Sequence, residues 1–301
     1  MAMRLLASGL SAVYVLGALI VSPPARAELS NPFLWELSKN GKALALFGSL
    51  HVGKNDFYPV PEFVIKRFEA AKVLAVETDM TLPASQQVCG KLAATTERID
   101  SVLSQEDFAA LTGYLRASNL PPNAVEGRKL WFVNLIVVGT ELQQLGVDFS
   151  RGLDVIFVRE AKQAKKRVVE VVGAGKQCES LAAAPNAEAA AAMTRFLETV
   201  RSNKMEKRLF EMIDAYRVGD GATLSRVIGE EFGDTALGQA ARRRVFEDRH
   251  AAMAEVIESY LKQPDSHFVV ISIGHLVGDN NLLDALAKRG ITVKRADAPT
   301  K

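Results

Sequence analysis

Several signatures that would settle a chemistry outright are missing from this sequence. No H-E-x-x-H occurs, which excludes the zincin metal pair, and no G-x-S-x-G occurs, which argues against a serine hydrolase of the nucleophile-elbow type. Gly173-Ala174-Gly175-Lys176 imitates a phosphate loop, but Glu170 stands where its first glycine belongs and Gln177 replaces its Ser or Thr. Charge of one sign is missing too. The formal balance of +2 over 301 residues gives no electrostatic footprint for nucleic acid or an anionic membrane. The local run Arg242-Arg243-Arg244 is followed by Glu247 and Asp248 and reads as a solvated helix face. There is no internal repeat and no low-complexity linker. Histidine is limited to four residues and cysteine to two.

The first 27 residues have the three parts of an export signal. Met1 to Arg4 carries one positive charge, residues 5–21 are apolar with small interruptions, and Pro23-Pro24 precede an Ala25-Arg26-Ala27 cleavage site. The competing reading is a membrane anchor. A span needs roughly 20 predominantly apolar residues, more than this run supplies before its small-residue cut site. Cleavage after Ala27 is therefore the expectation. No cysteine near the cut invites a lipid anchor, and no stable membrane anchor remains afterwards. Cleavage removes Arg4 and Arg26 and no acid, so the 37 basic residues fall to 35, matching the 35 acidic ones. The mature chain, 28–301, is expected to be a single domain, periplasmic or secreted. In that setting the even pair Cys89 and Cys178 is read first as an intramolecular disulfide, with two separate buried thiols as the alternative.

Along the mature chain, Asn40-Gly41 separates two strand-like runs, 33–37 and 42–47, and marks a hairpin, because both turn positions need positive φ. The spacing predicts a helix over 62–71 and a buried strand over 72–77. Periods from about 85 to 166 are helical and include a core helix over 126–145 and another over 153–166. A strand follows at 167–172, then an Ala-rich stretch broken at Pro185, then long helical segments to Lys262. The end reads as strand 267–273, helix 280–288 closed by Gly290, and strand 291–295, suggesting a parallel pair with a crossover. The fold class is thus α/β: a small mixed or parallel sheet from strands at both chain ends, with a large helical insertion in the middle.

Two of the four histidines, His51 and His275, occupy matching places beyond strand ends and beside glycines, in Gly48-Ser49-Leu50-His51 and Ser272-Ile273-Gly274-His275. The carboxyl ends of sheet strands are where α/β proteins build sites. Glu77 closes an apolar strand, an expensive place for a carboxylate unless it is paired or bound to a cation. Two histidines and a carboxylate make a three-ligand set with open positions, as catalytic metals use. Taken alone, a strand-end histidine is more often a hydrogen-bonded structural residue.

The sequence resembles the TraB/PrgY/GumN family, to which the Tiki-type metalloproteases are related. The resemblance runs through Leu34-Trp35-Glu36-Leu37-Ser38, Leu46-Phe47-Gly48-Ser49-Leu50-His51-Val52-Gly53, Phe57-Tyr58-Pro59 with Pro61, and Ala75-Val76-Glu77-Thr78-Asp79. It continues at Gly152-Leu153-Asp154, Glu247-Asp248-Arg249 and Gly274-His275-Leu276-Val277-Gly278. It implies divalent-metal-dependent hydrolysis of peptides, with His51, Glu77 and His275 as metal ligands and Glu77 and Arg249 as catalytic groups. Ser272 departs from the family's leading glycine, His250 stands where members commonly have Asn, and Gly173-Ala174-Gly175 replace the further acids and a Gln that many relatives carry after the strand position Glu170 keeps. Arg249 could stabilise an oxyanion or serve as a salt bridge on its helix. Asp154 is expected to cap or fix its helix, Glu170 to lie on a solvated face, and His250 and His267 to be ordinary partly buried histidines. The competing functions are a non-catalytic envelope protein that binds a peptide or other ligand, and a metal-independent hydrolase using His51 and Glu77.

Overall fold

The computed structural model describes residues 29–54 and 60–296. The export-signal reading of residues 1–27, and Phe57-Tyr58-Pro59, lie outside the described residues. Six strands form one sheet: β1 (Leu34–Lys39), β2 (Lys42–Ser49), β3 (Val73–Val76), β4 (Arg167–Glu170), β5 (His267–Ser272) and β6 (Thr292–Arg295), in the order β4-β3-β5-β2-β1-β6. The hairpin forms where Asn40 and Gly41 both take positive φ, 50° and 73°, pairing β1 antiparallel to β2. β2, β5, β3 and β4 run parallel. Those strands need crossovers, and helices supply them. Glu62–Ala70 links β2 to β3. Pro83–Ala93, Gln105–Ala117, Leu130–Gln144 and Leu153–Gln163 lie between β3 and β4. A second helical block lies between β4 and β5.

One expectation changes. β5 and β6 run in the same direction but are not neighbours, because β6 adds outside β1 as its antiparallel partner. The hairpin already occupies the place beside β5, so the last strand can pair only at the free edge. The Arg242-Arg243-Arg244 run also differs from the solvated face expected of it. Arg244 donates to the Ser180 carbonyl and pairs through both terminal nitrogens with Glu188, itself buried.

Two apolar clusters result. One packs against the sheet and contains β3 and β5 almost entirely; the other lies among the inserted helices around Trp131, Val133, Met193 and Phe196. Helix Leu130–Gln144 buries Leu130, Trp131, Val133, Val137 and Leu142, as a core helix should. None of the helices among the described residues is long and apolar enough to cross a membrane.

The second cluster is stapled. Cys89, on Pro83–Ala93, is disulfide-bonded to Cys178, on Ala174–Ala182, with Cα atoms 5.4 Å apart and a sequence separation of 89. A cross-link closing so long a loop restricts the unfolded chain, so Cys178→Ser is expected to lower stability by about 2–5 kcal/mol in denaturant melts. Alkylation should add mass only after reduction. A native chain that takes up two alkyl groups without reductant would show two separate thiols instead.

A buried carboxylate, Glu258, ties helix Asp248–Leu261 to the hairpin end by accepting from Lys39 at 2.8 Å and from Arg289 Nε at 2.7 Å. Lys39 and then Arg289 hold its carboxyl down at about 2 from an ordinary 4.5. A depressed carboxyl pKa contributes stability above the unfolded value, lost as pH falls through the folded one. Glu258→Gln should therefore melt below the parent at neutral pH, with the gap closing between pH 4.5 and about 2. A gap constant across that range would remove Glu258 from the acid response.

Candidate active site

The carboxyl ends of β3, β5 and β2 lie side by side, and each delivers one of the residues singled out from sequence. Glu77 follows β3 directly, its amide donating to the Val270 carbonyl at 3.1 Å. His275 ends a short 3-10 turn, Ile273–His275, that continues β5. His51 lies two residues past β2.

Glu77, 4% exposed, is the hub. Its Oε1 lies 3.3 Å from His275 Nε2 and 3.4 Å from Arg249 Nη2, and its Oε2 accepts the Ser272 amide at 3.3 Å. Burial pushes this carboxyl up, but His275, His51 and Arg249 more than reverse it and hold it well below the ordinary carboxylate range. It is ionised at neutral pH.

Arg249 and His250 reach the site from a helix that runs over 236–261, α-helical at both ends and π-helical over Arg243–Glu247. Such bulges recur at functional sites; the extra residue rotates the next turn of helix about its axis. Arg249 donates Nε to Val245 O at 2.8 Å and Nη1 to Gln177 Oε1 at 2.5 Å, while Nη2 meets His275 Nε2 at 2.8 Å. It is a buried ion pair and a donor facing the site at once. His250 is no ordinary partly buried histidine: its Nε2 lies 3.0 Å from His275 Nδ1, and its Nδ1 lies 2.8 Å from the Asn280 carbonyl. Burial, then His275, lower its pKa to about 4. Phe246, within the π-helical stretch, packs edge-on to His275 with centroids 5.0 Å apart. A Cβ on Gly274 would meet that ring at 2.6 Å, so the turn needs glycine there.

His51 belongs to a neighbouring pair. Its Nδ1 lies 2.8 Å from Asp154 Oδ2, in the first turn of Leu153–Gln163. The ring is 42% exposed; burial favours its neutral form, but Asp154, by charge and hydrogen bond, and then Glu77, lift its pKa to about 9. Asp154 is thus committed to His51; the helix cap is Gly152, without a side-chain bond. Glu170 is exposed, as expected, and its Oε1 accepts the Asp79 amide at 2.7 Å. His267 sits at the opposite, N-terminal end of β5 and stacks on Tyr260.

Among the described residues, no group of three or more His, Cys, Asp or Glu side chains is arranged to hold a metal ion. The donor chemistry nevertheless suits a cation. Each histidine engages a partner through Nδ1, His275 with His250 and His51 with Asp154. That is the outer support that metal-ligating histidines have. Nε2 of His275 and Oε1 of Glu77 face one spot, where the Arg249 guanidinium now stands in as the positive charge. Beside them Ser49 Oγ, Thr78 Oγ1 and Asp154 Oδ1 are buried without a hydrogen-bond partner. Sequence reasoning reached His51, Glu77, His275 and Arg249. It missed Gln177 and the direct His250–His275 contact, for which the only sequence signal was that His250 adjoins Arg249.

A family model described as the TraB/PrgY/gumN family matches residues 33–295. The chain is 25% identical over 239 residues to the uncharacterized protein YbaP of Escherichia coli (strain K12), covering 79% of this chain and 85% of that one. It is 23% identical over 333 residues to the metalloprotease TIKI1 of Homo sapiens, covering 91% of this chain and 64% of that one. To the metalloprotease TIKI2 of Xenopus tropicalis it is 22% identical, over 91% of this chain and 62% of that one. The chain thus spans just under two thirds of the Tiki relatives. No solved structure matches it.

The His51 loop rests directly on the N-terminus of helix Leu153–Gln163, where the Leu153 amide donates to Leu50 O at 3.1 Å. A Cβ on Gly152 would strike the His51 carbonyl and Asp154 Oδ1. Backbone cannot swing aside as a side chain can. Gly152→Ala is therefore expected to cost about 1–3 kcal/mol in denaturant melts; an unchanged midpoint would mean that the loop does not bear on the helix.

Proposed function

The chain belongs to the TraB/PrgY/gumN family, and from that premise we propose that it is an exported, divalent-metal-dependent hydrolase acting on peptides. The observation that carries the reading is the donor arrangement at the strand ends. Two histidines, each supported through Nδ1, flank the ionised and buried Glu77. The Tiki relatives, named as metalloproteases, add support. Export is supported by the three-part leader and by the cross-linked cysteines, which suit an oxidising compartment.

His275, Glu77 and His51 would hold the cation, whose chemistry when bound is to polarise a scissile carbonyl and activate water. Glu77, ionised, can serve as ligand or take a proton from the attacking water. Asp154 orients His51 through Nδ1; the ring, its pKa lifted to about 9, would take a cation only by giving up its Nε2 proton. Arg249 has Nε and Nη1 anchored on Val245 and Gln177, and Nη2, which meets His275 and Glu77 in this structure, is the group that would turn to an oxygen gaining negative charge. A second reading is favoured by the same guanidinium. With Arg249 bridging Glu77 and His275, the cluster is satisfied internally, as a non-catalytic peptide-binding protein would need.

The two separate by experiment. Chain purified without chelator should contain divalent metal and cleave members of a peptide library, with activity lost to chelator and restored by metal. His275→Ala and Glu77→Gln should each lower kcat/KM by about 100-fold or more, and Arg249→Lys by about 100- to 1000-fold. Peptide binding that survives these substitutions, with no metal and no cleavage, would establish the second reading. Chelator-resistant cleavage would point to His51 and Glu77 working without metal. N-terminal sequencing of exported material should begin at Glu28.

A further inference from the structure

Two groups fix the direction of every hydrogen bond in the row that passes through His275. At one end the Asn280 carbonyl can only accept, so the His250 Nδ1 lying 2.8 Å away carries a proton and donates it. At the other end the Arg249 guanidinium can only donate, so the His275 Nε2 lying 2.8 Å away is bare. A neutral ring bare at Nε2 carries its proton at Nδ1. Across the 3.0 Å between the rings, His275 Nδ1–H therefore donates to a bare His250 Nε2. This assignment leaves one poor contact, the bare Nε2 3.3 Å from Glu77 Oε1. Moving the proton to Nε2 would set it against Arg249 Nη2 at 2.8 Å and leave two bare nitrogens facing each other at 3.0 Å, in a row 1–5% exposed at its two histidines, too deep for solvent to repair the mismatch.

We infer that His250 is a positioning residue: with the Asn280 carbonyl behind it, and with Arg249 donating at the opposite nitrogen, it holds His275 in the Nδ1–H tautomer and keeps Nε2 an acceptor. The alternative tautomer has a use for its proton, since Glu77 Oε1 lies 3.3 Å from that Nε2 and would accept it. A ring that donates to Glu77 has no lone pair left for a cation. His250 thus decides between a His275 that closes on Glu77 and one that works beside it. The backbone is shaped for this. Asn280 takes a left-handed φ of 53°, which Asn tolerates, and the next residue, Asn281, caps helix Leu282–Lys288, fixing the carbonyl that His250 addresses. Phe246 closes the remaining edge of the His275 ring. The tautomer stands independently of the hydrolase reading; its value to a bound cation rests on that reading.

Long-range proton–nitrogen NMR of the metal-free chain reports the tautomer directly, and only four histidines have to be told apart. His275→Gln identifies the relevant signals. At neutral pH the parent should show His275 protonated at Nδ1 and bare at Nε2. His250→Leu strands the Nδ1–H without an acceptor at a buried position, which outweighs the Arg249 contact and should move the proton to Nε2, where Glu77 Oε1 accepts it. His250→Asn should leave it at Nδ1, because an amide again offers one acceptor and one donor. In a second arm, calorimetric titration with Zn²⁺ alone should show affinity falling about 10- to 100-fold in His250→Leu and recovering in His250→Asn. A parent with His275 protonated at Nε2 or at both nitrogens would overturn the inference. So would a His250→Leu variant with an intact amide spectrum that keeps the Nδ1 proton. Should His250→Leu fail to fold, the parent and His250→Asn decide, and a proton on Nε2 in the latter overturns it. Tautomers as stated, with no Zn²⁺ bound by any variant, would leave the inference standing and remove the metal reading.

Discussion

A carboxylate 4% exposed at the end of a strand whose four residues are all buried must find its partners inside the protein, because burying an unpaired charge costs several kcal/mol. Glu77 has no partner of its own on β3. Its partners come from the far side of the molecule in sequence: Arg249 is 172 positions away and His275 is 198. Much of the architecture can be read as the means of bringing them. β5 sits beside β3 in the sheet, and so the turn after β5 places His275 over Glu77. Helix 236–261 runs back across that turn, and its π-helical stretch sets Arg249 and His250 toward the cluster and Phe246 against the His275 ring.

The helical insertions take part in the site. Helix Ala174–Ala182 starts four residues after β4 and carries Gln177, which anchors Arg249. Its next residue, Cys178, is cross-linked to the helix that comes after the Glu77 strand, Pro83–Ala93. The disulfide therefore joins the two elements leaving β3 and β4, and holds near the site the helix on which the guanidinium is moored. Asp79, Thr81, Lys162 and Glu170 knit the same strand ends one layer out. Lys162 donates to Asp79 and Thr81, and Glu170 takes the Asp79 amide. Gly173-Ala174-Gly175 form the helix start from which Gln177 meets Arg249.

The features legible in the sequence were local or periodic. Asn40-Gly41 specified the hairpin because few other residues accept positive φ at both turn positions. The apolar runs located β3, β4 and β5, and the cost of ending such a run in a carboxylate singled out Glu77. The features that escaped depended on contacts without local pattern. The order of the sheet, and so the placing of β6 outside β1, depends on which edge remained free. Arg244 looked solvent-facing because its partner, Glu188, is 56 positions away. The His250–His275 contact arises only because a helix widens for one π turn and a strand-end turn reaches to meet it, and no residue in Arg243–Glu247 announces that turn.

The charges around Glu77 also constrain the chemistry. Glu77, itself one of the three candidate ligands, and Asp154, bonded to His51, are the carboxylates of the cluster, and Arg249 already offsets one of them. If a divalent cation displaced the proton that lifts the His51 pKa to about 9, the set, with His275 neutral, would carry one positive charge in excess. Such an excess penalises cation binding, since Arg249 and the cation repel over a few ångströms. It also favours whatever gains negative charge at the same place. An arrangement built only to retain metal would replace Arg249 with a neutral donor; one built only to hold the strands together would not leave the Ser49, Thr78 and Asp154 oxygens without partners. Under the proposed hydrolase reading, the guanidinium that weakens the resting site would stabilise an oxyanion formed beside it.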